Sequence, residues 1–130
     1  MSSYSLPTES QRDSSPAVFG WMPFHGTHDV EHVAVGGHLC LATAGEFQQV
    51  FAAIRPGARV ILLDLSAVFF LDSTGVHVIE TAAAELRAQG RQLLVLPGGE
   101  TIQRVFEITG ARERLEFVDT NADLRELLAA

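Results

Sequence analysis

The chain carries the sequence VILLDLSAVFFLDSTG at residues 60–75, and this stretch is the most informative part of it. Residues 60–65 are almost continuously apolar, as expected for a central strand that is covered on its faces. Residues 66–71 are predicted to form a short apolar loop, after which Ser73 and Thr74 open a helix. The pattern therefore places two small hydroxyl groups on the surface at the N-terminus of a helix.

The composition indicates one acidic domain. A chain of 130 residues leaves little room for a second domain, and a hydrophobic content of 47% supports a substantial core. The formal net charge of −7 disfavours nucleic acid and anionic membranes as partners, because both would repel the chain. Cys40 is the single cysteine, so no intrachain disulfide can form. No signal peptide or membrane span is apparent, and we expect a soluble cytoplasmic protein.

The N-terminal part of the chain divides into a tail and the first strands. Residues 1–16 are rich in serine and poor in apolar side chains, so they are predicted to form a flexible tail that precedes a domain over residues 17–130. Residues 17–24 are predicted to form an edge strand that ends at Pro23. A second strand around Val33 is predicted to turn tightly at Gly36-Gly37 and to return through residues 38–41.

Helices and strands alternate in the rest of the chain. A capping box at Thr43-Ala-Gly-Glu46 opens a first helix, which Arg55-Pro56-Gly57 ends, and a second helix runs from about Ser73 to Gln89. Strands at 93–96 and 115–118 flank a third helix that Gly110 closes, and a fourth helix begins at residues 120–123. This alternation predicts an α/β fold with right-handed crossovers and mostly parallel pairing in the later strands.

Three motifs resemble the STAS domain of bacterial anti-sigma factor antagonists. They read GHLCLATAGEF at residues 37–47, LDLSAVFFLDSTG at residues 63–75 and RVFEITG at residues 104–110. The corresponding family patterns are G-E-L-D-x-x-T-A, D-L-S-x-V-x-F-I-D-S-[ST]-G and a helix that ends in x-L-T-G. The resemblance covers roughly three quarters of the chain. It implies a STAS-type fold, with a mixed central sheet of about five strands and about four helices packed mainly on one face.

The resemblance also implies a regulatory function. In that family the serine after the aspartate is the phosphoacceptor, which corresponds to Ser73 here, with Thr74 as a secondary candidate. Unphosphorylated members bind a serine kinase that is also an anti-sigma factor, and phosphorylation releases them so that sigma-factor-dependent transcription is regulated. A PPM-type phosphatase resets them. The resemblance therefore implies a binding module without catalysis or cofactor, present as a monomer or weak dimer.

The expected partner surface surrounds the hydroxyl pair. Two of its members depart from the family pattern, because Cys40 replaces a common aspartate and His77 replaces a common glycine. A titratable ring at position 77 could alter which partner fits. The full set of expected partner-binding residues is His38, Cys40, Thr43, Asp72, Ser73, Thr74, Gly75, Val76 and His77.

Several of these residues also have ordinary structural interpretations. Ser73 could be a plain N-cap, and Asp72 is favoured as a carboxylate that the helix dipole stabilises rather than as a general base or a metal ligand. Cys40 is favoured as a small, part-buried residue rather than a redox centre. Asp64 is expected to serve the turn after its strand.

The histidines near the N-terminus raise the possibility of a metal site. His25, His28 and His32 are close in sequence, but neither a cysteine nor a helical i, i+4 pair accompanies them, so a solvated loop is the favoured interpretation. No metal site is predicted.

Two other functions are compatible with a STAS fold. The first is an accessory or scaffold subunit that docks to an ABC-transporter ATPase or a sensory complex, where Ser73 and Thr74 would be docking contacts. The second is an enzyme, for which the sequence offers no arranged pair of catalytic groups.

Overall fold

The computed structural model describes residues 18–25 and 29–118, with the backbone alone at residues 22–25. Its strands are β1 (Phe19–His25), β2 (Val30–Leu39), β3 (Val60–Leu71), β4 (Gln92–Leu96) and β5 (Glu116–Phe117). Its helices are α1 (Ala44–Ala52), α2 (Ser73–Ala88) and α3 (Glu100–Thr109), with short 3-10 turns at Leu41–Thr43 and Ala111–Glu113.

The five strands form one mixed sheet in the order β1-β2-β3-β4-β5. Strand β1 pairs with β2 in the antiparallel sense, and the other neighbours are parallel. Each parallel step needs a crossover, which α1, α2 and α3 supply in turn. This architecture confirms the predicted mixed sheet. The predicted N-terminal tail and the predicted fourth helix lie outside the described residues.

The core lies between one face of the sheet and the three helices. Alternate residues of β2 and β3, such as Val35 and Leu63, are fully buried and meet Phe47 of α1, Ile79 of α2 and Phe106 of α3. The predicted inner stripe of the second helix is confirmed, since its members are all buried: Val76, Ile79, Ala83 and Leu86. The hydrophobic periodicity therefore identified the helix faces correctly.

Strand β2 corrects one prediction, because it continues through Gly36 and Gly37 instead of turning there. The two glycines allow close approach of neighbouring strands: a Cβ at Gly36 would stand 3.0 Å from the Cβ of Ala67, and Gly37 has a φ of 88°. The glycine pair thus marks an irregular, tightly packed part of the sheet rather than a hairpin turn.

Strand β3 corrects a second prediction, because residues 66–71 belong to the strand and form no loop. The register between β2 and β3 shifts twice, between Ala34 and Gly36 and again between Gly37 and His38. At each shift β3 has one residue more than β2, as in a β-bulge. These bulges interrupt the alternation of apolar and polar residues, which explains why the pattern suggested a loop.

Several element ends also differ from expectation. Pro23 does not end β1, since it pairs with Val33, and proline is tolerated there because β1 is an edge strand. Helix α1 ends at Ala52, before the predicted stop at Arg55. The last strand is shorter than the predicted 115–118, since it covers only Glu116–Phe117. Gly110 closes α3 in the left-handed conformation, as predicted. Within the described ranges, no helix is both long enough and apolar enough to cross a bilayer.

Candidate functional site

Ser73 is the first residue of α2, directly after the carboxyl end of β3. Its side chain is exposed, and its hydroxyl makes no hydrogen bond to any other residue that the structure describes. The long strand β3 and the buried face of α2 hold this position at the end of the sheet where the parallel strands have their carboxyl ends. Ser73 is therefore presented to solvent at the start of a packed helix, with a hydroxyl that is available for reaction.

Asp72 occupies the N-cap of α2. Its Oδ1 atom accepts hydrogen bonds from the amides of Thr74 at 2.9 Å and Gly75 at 3.1 Å. The alternative in which Ser73 caps the helix is therefore wrong, because the neighbouring carboxylate already fills that role. The structural interpretation of Asp72 is confirmed. Its negative charge is stabilised by the amides and by the helix dipole.

Three residues that were expected on the partner surface are buried. Gly75 packs against the end of β2, Val76 is 3% exposed, and Thr43 is 1% exposed. The hydroxyl of Thr43 donates to the carbonyl of His38 at 2.7 Å and accepts from the amide of Cys40 at 3.1 Å. Thr43 therefore shapes the turn between β2 and α1, and the predicted capping box with Glu46 is wrong.

His77 is exposed about one turn after Ser73 on the same helix. Thr74 is partly exposed beside them. His77 also lies at a cavity of about 290 Å³ between α1 and α2. The residues that line this cavity with it are Gln48, Phe51, Val78, Thr81, Ala82 and Glu85. The structure thus brings Ser73, Thr74 and His77 together at the start of α2, and His77 also borders a cavity of mixed polar and apolar lining.

His38 lies on the face of the sheet that points away from the helices. Its imidazole meets the ring of Phe69 edge-on at a centroid distance of 4.8 Å, and its Nδ1 atom accepts the amide of Val18 at 2.8 Å. The sequence prediction grouped His38 with Ser73, but the alternation of β2 turns it to the opposite face. Cys40 is partly buried, in agreement with the structural interpretation of that residue.

Exposed apolar side chains near the start of α2 were missed from the sequence, and Leu41 and Phe69 are the most exposed of them. Leu41 is 78% exposed in the short turn before α1, and Phe69 is 64% exposed at the bulge of β3. The sequence signal for Phe69 was the Phe69-Phe70 pair in a segment that was assigned to a loop. Large exposed apolar side chains close to a functional edge are candidates for contact with a partner protein.

His32 and Asp64 form a pair within the sheet. The Nε2 atom of His32 lies 3.0 Å from Oδ2 of Asp64, and the two side chains are 12% and 17% exposed. Burial by itself would raise the pKa of the Asp64 carboxyl, but hydrogen bonds from His32 and Ser66 and the charge of His32 outweigh burial and lower the pKa to about 2. Asp64 therefore supports the bulge at Ser66, whose amide and hydroxyl donate to it, rather than a turn.

His25 and His32 do not lie in the solvated loop that was predicted. His25 belongs to β1 and His32 to β2, while His28 lies outside the described residues. Across residues 18–25 and 29–118, no three side chains of the metal-binding types converge on one point.

Comparison with known proteins identifies the family. Residues 23–124 match the model of the STAS domain. The chain is 34% identical over 82 residues to the anti-sigma-B factor antagonist of Staphylococcus aureus, an alignment that covers 62% of this chain and 76% of that protein.

Solved structures show the same fold. The crystal structure of an anti-sigma factor antagonist from Mycobacterium paratuberculosis has a TM-score of 0.75 at 22% identity, covering 87% of this chain and 96% of that one. The anti-sigma factor antagonist SpoIIAA in its unphosphorylated form has a TM-score of 0.67 at 17% identity, covering 85% and 98%. The phosphorylated form of SpoIIAA from Bacillus has a TM-score of 0.61 at 15% identity, covering 83% and 99%. Because the family model spans most of the chain, this protein belongs to the STAS domain family.

Proposed function

We propose that this protein is an anti-sigma factor antagonist, a binding module that docks to an anti-sigma factor with serine-kinase activity. The single observation that carries the proposal is the exposed hydroxyl of Ser73 at the start of α2, in a STAS domain whose relatives bear that name. The role that we assign is binding rather than catalysis. Expected consequences are sequestration of the kinase and release of its sigma factor.

We further propose that Ser73 is the phosphoacceptor and that a PPM-type phosphatase removes the phosphate. A phosphate adds about −1.5 to −2 charges at neutral pH. The carboxylate of Asp72 lies directly beside it, so the surface around the start of α2 would become strongly anionic. A partner that docks flush on this surface would be lost through repulsion and desolvation, while the fold would stay intact.

The proposed docking surface consists of the exposed groups at this edge. Ser73, Thr74 and His77 supply the polar part, and Leu41 supplies an apolar contact. Asp72 contributes its charge, and Cys40 lies at the margin of the surface. The buried residues Thr43, Gly75 and Val76 act behind the surface by shaping it.

The binding step is tested by calorimetry with the serine-kinase anti-sigma factor that is encoded in the same genome. Ser73→Ala should bind like the wild type, whereas Ser73→Asp should lose at least about tenfold in affinity through the added charge. Ala84→Asp is a matched control, because it adds the same charge to the same helix about three turns away. Equal binding by wild type and Ser73→Asp would contradict the switch. Failure of the wild type to bind such kinases would contradict the function.

The modification step is tested separately with kinase, ATP and peptide mapping by mass spectrometry. The wild type and Thr74→Ala should gain one phosphate on the peptide that contains Ser73, and Ser73→Ala should gain none. Persistent phosphorylation of Ser73→Ala, lost only in Thr74→Ala, would move the acceptor to the neighbouring threonine.

A further inference from the structure

The capping of α2 by Asp72 changes what a phosphate on Ser73 would meet. A phosphate at a helix N-terminus ordinarily accepts hydrogen bonds from the free amides of the first turn. Here the amides of Thr74 and Gly75 already donate to Asp72. A phosphate on Ser73 would therefore lie beside a carboxylate and would compete with it for these two amides, so a donor from outside the first turn would stabilise it.

The arginines that the structure describes lie mostly far from this site. Each of the helices α1 to α3 starts near the carboxyl ends of the parallel strands, where Ser73 lies, and runs back toward the amino ends of the strands. The last residues of the helices and the first residues of the strands that follow them therefore lie together at the opposite end of the sheet. Arg91, for example, donates from Nε to the carbonyl of Ala58 at that end. The arginines grouped there are Arg55, Arg59, Arg87, Arg91, Arg112 and Arg114. A phosphate on Ser73 is thus remote from the main group of cations.

His77 is the donor that the geometry offers instead. Residues four apart on a helix lie on the same face, with Cβ atoms about 5–6 Å apart. Helical side chains lean toward the N-terminus of their helix, so the imidazole of His77 leans toward Ser73. Both side chains are exposed, and the imidazole makes no hydrogen bond to other described residues. A phosphate on Ser73 extends the side chain toward this ring.

Few charged groups surround His77. From α1, the neutral side chains of Gln48 and Phe51 line the same cavity. From α2, the only carboxylate on that cavity is Glu85, about two turns further on. The carboxylate of Asp72 is engaged with the amides of the first turn, and Glu80 is paired with Arg114 at 2.6 Å. A phosphate on Ser73 would be the nearest uncompensated anion to the imidazole.

We propose that His77 holds the phosphate of phosphorylated Ser73 through a hydrogen bond from its imidazole. This inference rests on the proposed function of Ser73 as a phosphoacceptor. It assigns a positioning role to His77, at a position where the family commonly has glycine. The contact stabilises the dianionic form of the phosphate, because a donor or cation beside an anion favours its charged state. The charge of the phosphate on Ser73 near neutral pH would therefore depend on His77.

The test uses protein with phosphoserine incorporated at position 73 during translation, so that no kinase is required. The second pKa of a phosphoserine is about 6 and is read from a ³¹P NMR titration. His77→Ala should raise that pKa by roughly half a unit relative to the wild type, since the donor is lost. His77→Gln should restore part of the difference, because its amide still donates. Thr81→Ala, one turn further along the helix, should titrate like the wild type.

The outcomes separate this inference from the proposed function. Identical titrations for the wild type and His77→Ala would overturn the phosphate contact, whatever the kinase does. Failure of a kinase to modify Ser73 would overturn the proposed switch, and the titration would still report whether the two side chains interact. Circular dichroism of each variant checks that α2 is intact, which we expect because position 77 is exposed and tolerates alanine.

Discussion

Gly75 in the first turn of α2 lies directly against Leu39 at the end of β2. A Cβ atom at position 75 would stand 2.5 Å from the carbonyl oxygen of Leu39 and 2.9 Å from its Cβ. The same carbonyl accepts the amide of Asp72 at 3.1 Å. The neighbouring strand therefore determines where Ser73 sits, and only glycine leaves room for this contact.

Gly75→Ala should destabilise the protein by about 1–3 kcal/mol, because the added methyl group overpacks a contact with rigid backbone. Gly45→Ala is the matched control, since position 45 is also in the first turn of a helix but has no atom within 4 Å of the added Cβ. That control should be neutral or slightly stabilising. Urea denaturation measures both variants. A Gly75→Ala protein as stable as Gly45→Ala would show that the first turn of α2 can move freely.

Removal of the N-cap of α2 should also lower the free energy of unfolding. Asp72→Ala leaves the amides of Thr74 and Gly75 without their side-chain acceptor and should lower the free energy of unfolding by about 1 kcal/mol. Asp72→Ser should recover most of this loss, because serine is also a good N-cap. Thermal and urea unfolding measure the series. If Asp72→Ser were no better than Asp72→Ala, the carboxylate would act by charge alone.

The buried hydroxyl of Thr43 should contribute to stability without contacting any partner. Thr43→Val keeps the shape but leaves the amide of Cys40 and the carbonyl of His38 without the hydroxyl, which should cost about 1–3 kcal/mol. Thr101→Val, at an exposed position in the first turn of α3, should change stability by less than about 0.5 kcal/mol. Equal stability of the two variants would rule out this role for Thr43.

The Asp64 carboxylate should make stability sensitive to acid. Its pKa is lowered from 3.8 to about 2 in the folded protein. The unfolded chain therefore takes up the proton first as the pH falls, so the contribution is fully present above 3.8 and is lost as the pH approaches 2. Asp64→Asn should lower the free energy of unfolding by on the order of 1–2 kcal/mol at neutral pH and by less below about pH 3.

Urea unfolding from about pH 7 to about pH 3 measures this difference. Glu107→Gln is the control, because it removes a carboxylate from an exposed position on α3. If the difference in the free energy of unfolding between the wild type and Asp64→Asn stayed constant over the whole pH range, the lowered pKa would be contradicted. A difference that decreases toward low pH for Asp64→Asn, but not for Glu107→Gln, would support it.

Much of this architecture could be predicted from local sequence patterns. The apolar stripe of α2, the closing role of Gly110 and the placement of Ser73 at the start of a helix follow from periodicity and from end signals within a few residues. Three motifs, one of them around Ser73, also indicated the family. Such features depend on neighbours in the chain, which is why the sequence alone was sufficient for them.

Other features required the folded structure. Neither the uninterrupted course of β2 through Gly36-Gly37 nor the bulges of β3 could be predicted, because both depend on the register between two strands that are distant in sequence. Because β2 continues without a turn, its alternation places His38 on the face of the sheet away from the helices.

The same limit applies to the start of α2. The sequence placed Asp72, Ser73 and Gly75 within four residues of one another at a helix start. The packing of that turn against Leu39 and the orientation of the Asp72 carboxylate assigned the cap to one residue, the exposed hydroxyl to the next and the close contact to the third. The contact between Gly75 and Leu39 joins segments that are distant in sequence, so no local pattern encodes it. The hydrogen bonds of Asp72 are local, but the end of β3 determines how its carboxylate is oriented toward them.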